Sequence, residues 1–516
     1  MSLEQTTPYD IVMYPGRAYH ETHPDRLSTM AAYYGMEPAP PARCRVFELG
    51  CGFGGNLIPM AYQYPESQFY GIDLSGRSIE LGVKTIAELG LRNIELQHRD
   101  ILDISPAQGQ FDYIMAHGIY SWVPDPVRDK MMAIFKNNLA PQGVAYVSYN
   151  SYPGSHLRNL VRDMMNFHVR DITDPEARVK QARAILNFFG DAAAKDTVHG
   201  SVIRGEIERL RSMGDEVLFH DDLDRGSRAF LLHEVVGAAE RHGLQYLCDA
   251  TLHRRELQNY SEKVRMIFEN FDDDAFMDRD QYHDFVDGHG FRRTLLCHRE
   301  ISLDRKVDAT AMRRFHFASS LVPVSAQFKL DEPGIVEFKL PNGNALATDH
   351  LFSKAAVVYL QRRWPAAIGF AEIVEGASRL AATVAGARQE PSQDDIATLS
   401  AALYRAVHSG LMDIHLYPPR LTTEISERPL ATAIARRQAA VKSPVTNLRQ
   451  HTVAFDNEIA RHFLMLVDGT RNIDQLTADL ADRLEQVGLA SKDKVVTRAD
   501  VEHHLRVLAR LALIVE

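Results

Sequence analysis

From Arg45 to Asn150 short apolar runs, "RVFELG", "FYGIDL", "IELQHRD", "FDYIMAHG" and "VAYVSYN", alternate with longer stretches of helical character. Such runs are too short for helices and read as buried strands; strands alternating with helices imply parallel pairing through right-handed crossovers. The pattern therefore predicts an α/β fold with a Rossmann-like, mostly parallel sheet. From 151 to 215 the spacing becomes helical, with "RNLVRDMMNF" and "VKQARAILNFFG" repeating apolar residues at i, i+3 and i+4. A helix around "RGSRAFLLHEVVGAAERHG", a strand "LQYLCDATL", a charged stretch holding Asp272, Asp273 and Asp274, and a strand "FRRTLLCHRE" follow. These carry the first domain to about residue 302.

Beyond it, "GIVEFKLPNGNALATD" has two alternating runs around Pro341, Asn342 and Gly343, which predicts a hairpin. A helix "HLFSKAAVVYLQRRW" is stopped by Pro365, and another is opened by Ser392 with Asp395 three residues on and closed by Gly410. Between Arg420 and Gln450 six basic and two acidic residues accompany Pro429 and Pro444, a composition expected of an exposed linker. Asp456 to Glu516 offers three short helices, one ended at Gly469, and a terminal strand "LALIVE". Both C-terminal pieces have the helix-and-hairpin order of winged-helix-like modules.

At 516 residues the chain exceeds one hydrophobic core, and a composition of 45% hydrophobic and 24% charged residues is that of a soluble globular protein. A net charge of -10 argues against a general nucleic-acid binder. Cys44, Cys51, Cys248 and Cys297 form no CxxC pair and read as reduced core thiols, with no metal site. The opening "MSLEQTTPYD" lacks a basic region followed by an apolar run, and no stretch approaches the ~18 apolar residues of a membrane span. The expected location is cytoplasmic.

The most informative stretch is "VFELGCGFGG", a strand entering a glycine-rich turn. Gly50, Gly52 and Gly55 satisfy a dinucleotide spacing, whereas Gly50, Gly52 and Gly54 give the tighter spacing of S-adenosylmethionine (AdoMet) sites. Asp73, closing the second strand, can accept both ribose hydroxyl protons of either ligand. Other residues decide between them: Glu48 at the end of the first strand, Asp100 after the third, and the run "FDYIMAHGIYSWVPD" after the fourth. A cationic ligand with an amino group explains acids lining one cleft better than a diphosphate does.

"ELGCGFGG", "GIDLS" and "HRDILD" at successive strand ends resemble class I AdoMet-dependent methyltransferases. "THPDRL", "AHGIYSWVP", "YNSYPG", the segment from "FHDDL" to "HGLQYL" and "QYHDFVDGHGFRRTLL" narrow the resemblance to those carrying a methyltransferase regulatory domain, such as the rickettsial protein-lysine methyltransferases of an outer-membrane protein. The resemblance implies an antiparallel last strand and AdoMet as cofactor, with S-adenosylhomocysteine (AdoHcy) as product. It also implies cofactor contacts from Glu48, Gly50, Cys51, Gly52, Gly54, Asn56, Asp73, Leu74, Asp100, Ile101 and His117. The implied organisation is an N-terminal lid segment (1–40), whose "THPDRL" begins a helix covering the cleft, and a methyltransferase domain (41–302). That domain holds a helical insertion at about 151–225 and a regulatory segment at about 215–300. A middle winged-helix-like domain (303–425), a linker (426–450) and a C-terminal winged-helix-like domain (451–516) complete it.

Methyl transfer from a sulfonium needs a positioned nucleophile and excluded water rather than a metal or covalent intermediate. Aromatic walls exclude water and tolerate a cation. Tyr120 and Trp122 after the fourth strand and Tyr149 and Tyr152 after the fifth are the expected catalytic wall, with Tyr14 and Tyr19 in the N-terminal segment. His117 is either a proton acceptor or a backbone contact beside the methionine part, and a lone histidine favours the second. The expected acceptor is a protein lysine; a small metabolite or cell-envelope precursor is the alternative. A nucleic-acid-binding regulator sensing AdoMet is a third reading. No membrane insertion is expected, and a homodimer is, with the insertion at 155–215 as its interface.

Overall fold

The apolar runs form seven strands: β1 (Arg45–Leu49), β2 (Gln68–Asp73), β3 (Ile94–His98), β4 (Phe111–Ala116), β5 (Leu139–Asn150), β6 (Leu244–Asp249) and β7 (Phe291–His298). They make one sheet in the order β3-β2-β1-β4-β5-β7-β6. β1 to β5 pair in parallel. β7 is inserted between β5 and β6 and runs antiparallel to both. The strand order reverses between β1 and β4, the point where open α/β sheets bind ligands at their carboxyl ends. In register there, Leu49 faces Ile72, Asp73 faces His98, and Glu48 faces Met115.

The computed structural model describes residues 7–224, 226–252, 260–272, 275–385, 390–441, 444–455, 457–490 and 495–515. Of the acidic cluster, Asp273 and Asp274 lie outside them. The chain divides into two units. The first holds the described residues of Met1–Arg17, Ala42–Ala250 and Glu262–Arg305, and therefore the whole sheet. Phe47, Phe111, Ile114, Phe135, Val147 and Leu296, all fully buried, are among its core residues. All four cysteines are free and buried, as their apolar neighbourhoods suggested. Three helices, Ser155–His168, Pro175–Ala192 and Val198–Arg211, form the insertion. They share a separate apolar core that includes Val161, Met165, Ala182, Leu186, Ile203 and Ile207.

The second unit holds the described residues of Ala18–Pro41, Thr251–Ser261 and Lys306–Glu516. The expected 1–40 lid is thus two pieces: residues through Arg17 belong with the sheet, and Ala18–Pro41 belong here. The helix of "THPDRL" does form, as Pro24–Tyr33 with His23 as N-cap, but all ten of its residues are buried. A helix buried all round needs partners on every face rather than on one. One partner is the strand Asp413–His415: Asp25 Oδ2 is 2.6 Å from His415 Nδ1, and Asp25 Oδ1 accepts the Tyr417 N–H at 2.9 Å.

The hairpin pairs Val336–Lys339 with Ala345–Thr348. Helix Leu351–Arg363 ends before Pro365, and Gln393–His408 carries the Ser392/Asp395 capping box. The expected 426–450 linker is instead structured. Ala433–Ala440 is a helix whose Ala435 and Ala439 join a core with Phe463, Leu464, Leu476, Leu480, Val501 and Leu505 of the last three helices. Small apolar residues on one face outweigh the charge count of that segment. The described residues of "LALIVE" form no regular strand: Ile514 makes an isolated bridge with Ala431, and Leu513 O accepts the Thr432 N–H. Among the described residues no helix is long and apolar enough to cross a membrane.

Candidate functional site

The loop after β1 is shaped by backbone geometry. Gly50 sits at φ +72, where a side chain would be strained, and a Cβ there would lie 2.3 Å from Ile119 Cδ1 and have to displace it. The N–H groups of Gly50 and Cys51 both donate to Ile72 O, clamping the turn to the end of β2. Gly52 is at φ +54, and a Cβ added to it would meet nothing within 4 Å, which leaves open space above its backbone. Gly54 is also at positive φ, and its N–H donates to Cys51 O.

Asp73 ties this loop to β2: Oδ2 accepts the Gly52 N–H and Oδ1 the Ser75 N–H, each at 2.8 Å. Burial pushes its carboxyl above the ordinary value, against those two hydrogen bonds. Each oxygen keeps a second lone pair, so the pair can still accept a ribose diol. Leu74 follows, with its carbonyl 3.1 Å from His98 Nε2. Glu48 is 3% exposed; Oε1 accepts from Asn56 Nδ2 at 2.9 Å. Oε2 is buried without a hydrogen-bond partner among the described residues. Burial lifts Glu48 to about 8, opposed by Asn56 and reinforced by Asp73. A buried carboxyl with one unpartnered oxygen can take up a cationic group, which would favour its ionised form. The arrangement of Glu48, an open Gly52 and Asp73 fits an amino acid joined to a ribose.

The other expected contacts are placed as follows. Cys51 is buried, and its thiol lies where a Gly71 Cβ would sit at 2.7 Å, so it can offer the site its backbone only. Asp100 accepts the Leu102 N–H at 2.9 Å and caps the turn Ile101–Asp103; Ile101 packs against the main core. His117 Nδ1 lies 2.9 Å from the Tyr146 hydroxyl. Burial, aided by Arg293, drops the imidazole to about 3, so the ring is neutral at physiological pH.

The aromatic wall divides. Tyr120 and Tyr149 are core residues: Tyr120 packs on Tyr149 and Phe230 with centroids at 6.0 and 5.1 Å, and the Tyr149 hydroxyl is 2.8 Å from Thr294 Oγ1. β5 runs to Asn150, paired there with Phe291 of β7, so Tyr149 lies within the sheet rather than after the fifth strand. Trp122 and Tyr152 are half-buried. They lie beside the helix Ser155–His168: Arg162 stands 5.8 Å over the Trp122 ring, and Tyr152 stacks on His156 at 4.2 Å. Tyr19 belongs to the second unit.

Of a second set of residues sequence reasoning named Tyr14 and missed the rest. The segment before Arg17 crosses the glycine loop, where a Cβ on Gly55 would lie 2.8 Å from Gly16 Cα. Its Asp10 accepts the Ser75 hydroxyl at 2.6 Å. Partial burial raises the Asp10 carboxyl, but the hydrogen bonds from Ser75 and Thr7 outweigh it and leave about 2. Further along, Val12 O is 2.6 Å from His220 Nε2, and the Tyr14 hydroxyl is 3.3 Å from Asp221 Oδ2. The Thr7-x-x-Asp10 capping box was the one local signal available for this segment.

Residues 46–143 match a family model described as a methyltransferase domain, 214–298 one described as a predicted methyltransferase regulatory domain, and 427–513 the PKMT C-terminal winged helix domain. An uncharacterized protein of Rickettsia prowazekii is 37% identical over 317 residues, 61% of this chain and 57% of that protein. The chain therefore spans little more than half the length of that relative. A second uncharacterized protein of the same organism is 33% identical over 240 residues, 46% of this chain and 96% of its own length. PKMT2 from Rickettsia typhi in complex with AdoHcy superposes with a TM-score of 0.87 at 27% identity, over 98% of this chain and 100% of that one. With its sheet order, its glycine loop and these matches, the chain belongs to the class I AdoMet-dependent methyltransferases that carry a methyltransferase regulatory domain.

Proposed function

We propose that the chain transfers the methyl group of AdoMet to lysine side chains of a protein. The observation that carries the cofactor half is the buried Glu48 oxygen without a partner beside a loop-held Asp73. The acceptor half is supported by the likeness to PKMT2 along almost the whole chain and by the PKMT winged helix domain.

AdoMet supplies an electrophilic methyl on sulfonium sulfur. Glu48 would hold the ammonium, the open space over the Gly52 backbone would take the carboxylate end, and Asp73 would hold the ribose hydroxyls. Asp100 and Ile101 would border the adenine, and the His117 backbone the methionine part. Trp122 and Tyr152 would wall the approach of the acceptor and strip water from it, which lowers the pKa of an entering ammonium.

The test is incubation with methyl-labelled AdoMet and a nuclease-treated bacterial lysate. Acid-precipitable label that disappears on protease digestion is expected. Label confined to the soluble fraction would replace this reading with a metabolite or envelope-precursor acceptor. Salt-sensitive DNA binding without turnover would replace it with a regulator.

The same reading includes a homodimer through the three-helix insertion. It is supported by Phe167, Phe188 and Val198, which are 69%, 60% and 84% exposed on those helices. Light scattering that returns a monomer mass would remove it.

A further inference from the structure

Resting on the lysine reading, we propose that Asp221, with the Tyr14 hydroxyl beside it, is the carboxylate that receives the acceptor ammonium and takes its proton before methyl transfer. Asp221 comes from the regulatory segment, in the turn Leu218–Asp222. Its neighbour Asp222 is neutralised by Arg158 at 2.9 Å and Arg209 at 3.5 Å and is fully buried. Asp221 has no such ion pair among the described residues. Arg158 donates to its backbone carbonyl instead, at 2.9 Å, and its carboxylate accepts from the Tyr14 hydroxyl at 3.3 Å. The turn places two adjacent acids back to back, one compensated from within and one left for an outside cation.

Its position follows from the N-terminal segment. That segment is fastened at one end to the cofactor strand by Asp10 on Ser75, and at the other to the Leu218–Asp222 turn by Val12 on His220. Tyr9 lies between, stacked on His220 at 4.4 Å, and both Asp73 and Asp221 act on its hydroxyl. Arg158 also donates to Asn150 Oδ1 at the carboxyl end of β5, the end of the sheet at which Asp73 closes β2. The acid therefore stands across this segment from the ribose carboxylate.

The groups facing Asp221 are Tyr9 and Tyr14 of the N-terminal segment, Arg158 and Arg162 of the helix Ser155–His168, and His220, Asp222 and Asp224 of its own turn. Burial raises its carboxyl to about 6; Arg158 opposes this and Asp222 adds to it. Burial acts in the opposite sense on an entering ammonium, so the two proton affinities approach one another. The ammonium N–H breaks and its proton passes to a carboxylate oxygen of Asp221. The freed lone pair forms the N–C bond as the S–C bond breaks, leaving a neutral thioether. The proton returns to solvent when Asp221 ionises again.

The experiment compares wild type with Asp221→Asn and Asp221→Glu, using polylysine and the lysate proteins as acceptors and calorimetry with AdoHcy. Asp221→Asn should lower kcat/KM roughly thirtyfold or more and abolish an acid limb near pH 6, while AdoHcy affinity stays within twofold; Asp221→Glu should restore part of the rate. Tyr14→Phe removes a hydrogen bond that favours the ionised acid and should move the acid limb to higher pH. Unchanged kcat/KM in Asp221→Asn, or no movement in Tyr14→Phe, overturns this assignment alone. No labelling of any lysine-bearing acceptor by wild type overturns both it and the lysine reading.

Discussion

Glu48 and Asp222 are both buried carboxylates in the sheet-bearing unit, and each keeps one oxygen without a hydrogen bond. They differ in charge compensation. Asp222 is held by two guanidinium groups, whereas Glu48 has the neutral amide of Asn56. A compensated acid is structure; an uncompensated one is a charge whose burial becomes favourable when a cationic ligand binds. The same contrast separates Asp222 from Asp221 one residue away.

The largest effect should come from breaking the compensated side. Arg158→Ala leaves Asp222 with the longer Arg209 contact and should cost about 3–5 kcal/mol of stability, read by chemical denaturation. The double variant with Asp222→Asn should recover much of that loss.

Next is the cofactor side. Asp73→Asn weakens the observed bonds to the loop and would remove the proposed charge-assisted bonds to the ribose, each worth about 1.5–3 kcal/mol, and should weaken AdoHcy binding about a hundredfold in calorimetry. A loss below threefold would detach Asp73 from the ligand.

Glu48→Gln should weaken the same binding by about tenfold, and its pH dependence is the sharper test. The free carboxyl sits at about 8, above its ordinary 4.5. Its contribution to folding is complete below the ordinary value and is lost as pH rises towards 8. Binding an ammonium demands the ionised form, so AdoHcy affinity should rise as pH climbs to about 8 and then level off. Glu48→Gln should flatten that rise.

The smallest effect is expected at Tyr149. Tyr149→Phe loses the hydroxyl contact to Thr294, about 1 kcal/mol of stability, and should leave kcat/KM within twofold. Trp122→Ala, by contrast, should depress kcat/KM with little change in stability. If the two variants exchange behaviour, the division between core and acceptor wall is wrong.

The strands of the sheet were legible because each is a short apolar run and burial on both faces demands such runs. The candidate cofactor residues Glu48, Gly50, Gly52, Asn56 and Asp73 could be picked from sequence because they lie within one strand-turn-helix-strand unit, where spacing and geometry are coupled; their role is the proposal tested above. Residues 426–450 were misread because charge and proline outweighed a quieter signal, Ala431, Ile434, Ala435 and Ala439 at helical spacing, all four buried and the three alanines part of the C-terminal core. Tyr120 and Tyr149 were misread because a tyrosine at a strand end looks the same whether it faces a cleft or a neighbouring strand. Their packing partners settle that: Phe230 for both rings and Thr294 for the Tyr149 hydroxyl, the last 145 residues away in sequence.

What the sequence determined by itself was therefore local: strand positions, helix caps, the glycine turn and the acids attached to it. The tertiary structure decided which acids are compensated, since Arg158 reaches Asp222 across 64 residues and Tyr14 reaches Asp221 across 207. It also decided that Ala18–Pro41 joins the C-terminal unit. Backbone preferences act over a few residues and can be read along the chain, but charge compensation and burial depend on distances that exist only once the chain has folded.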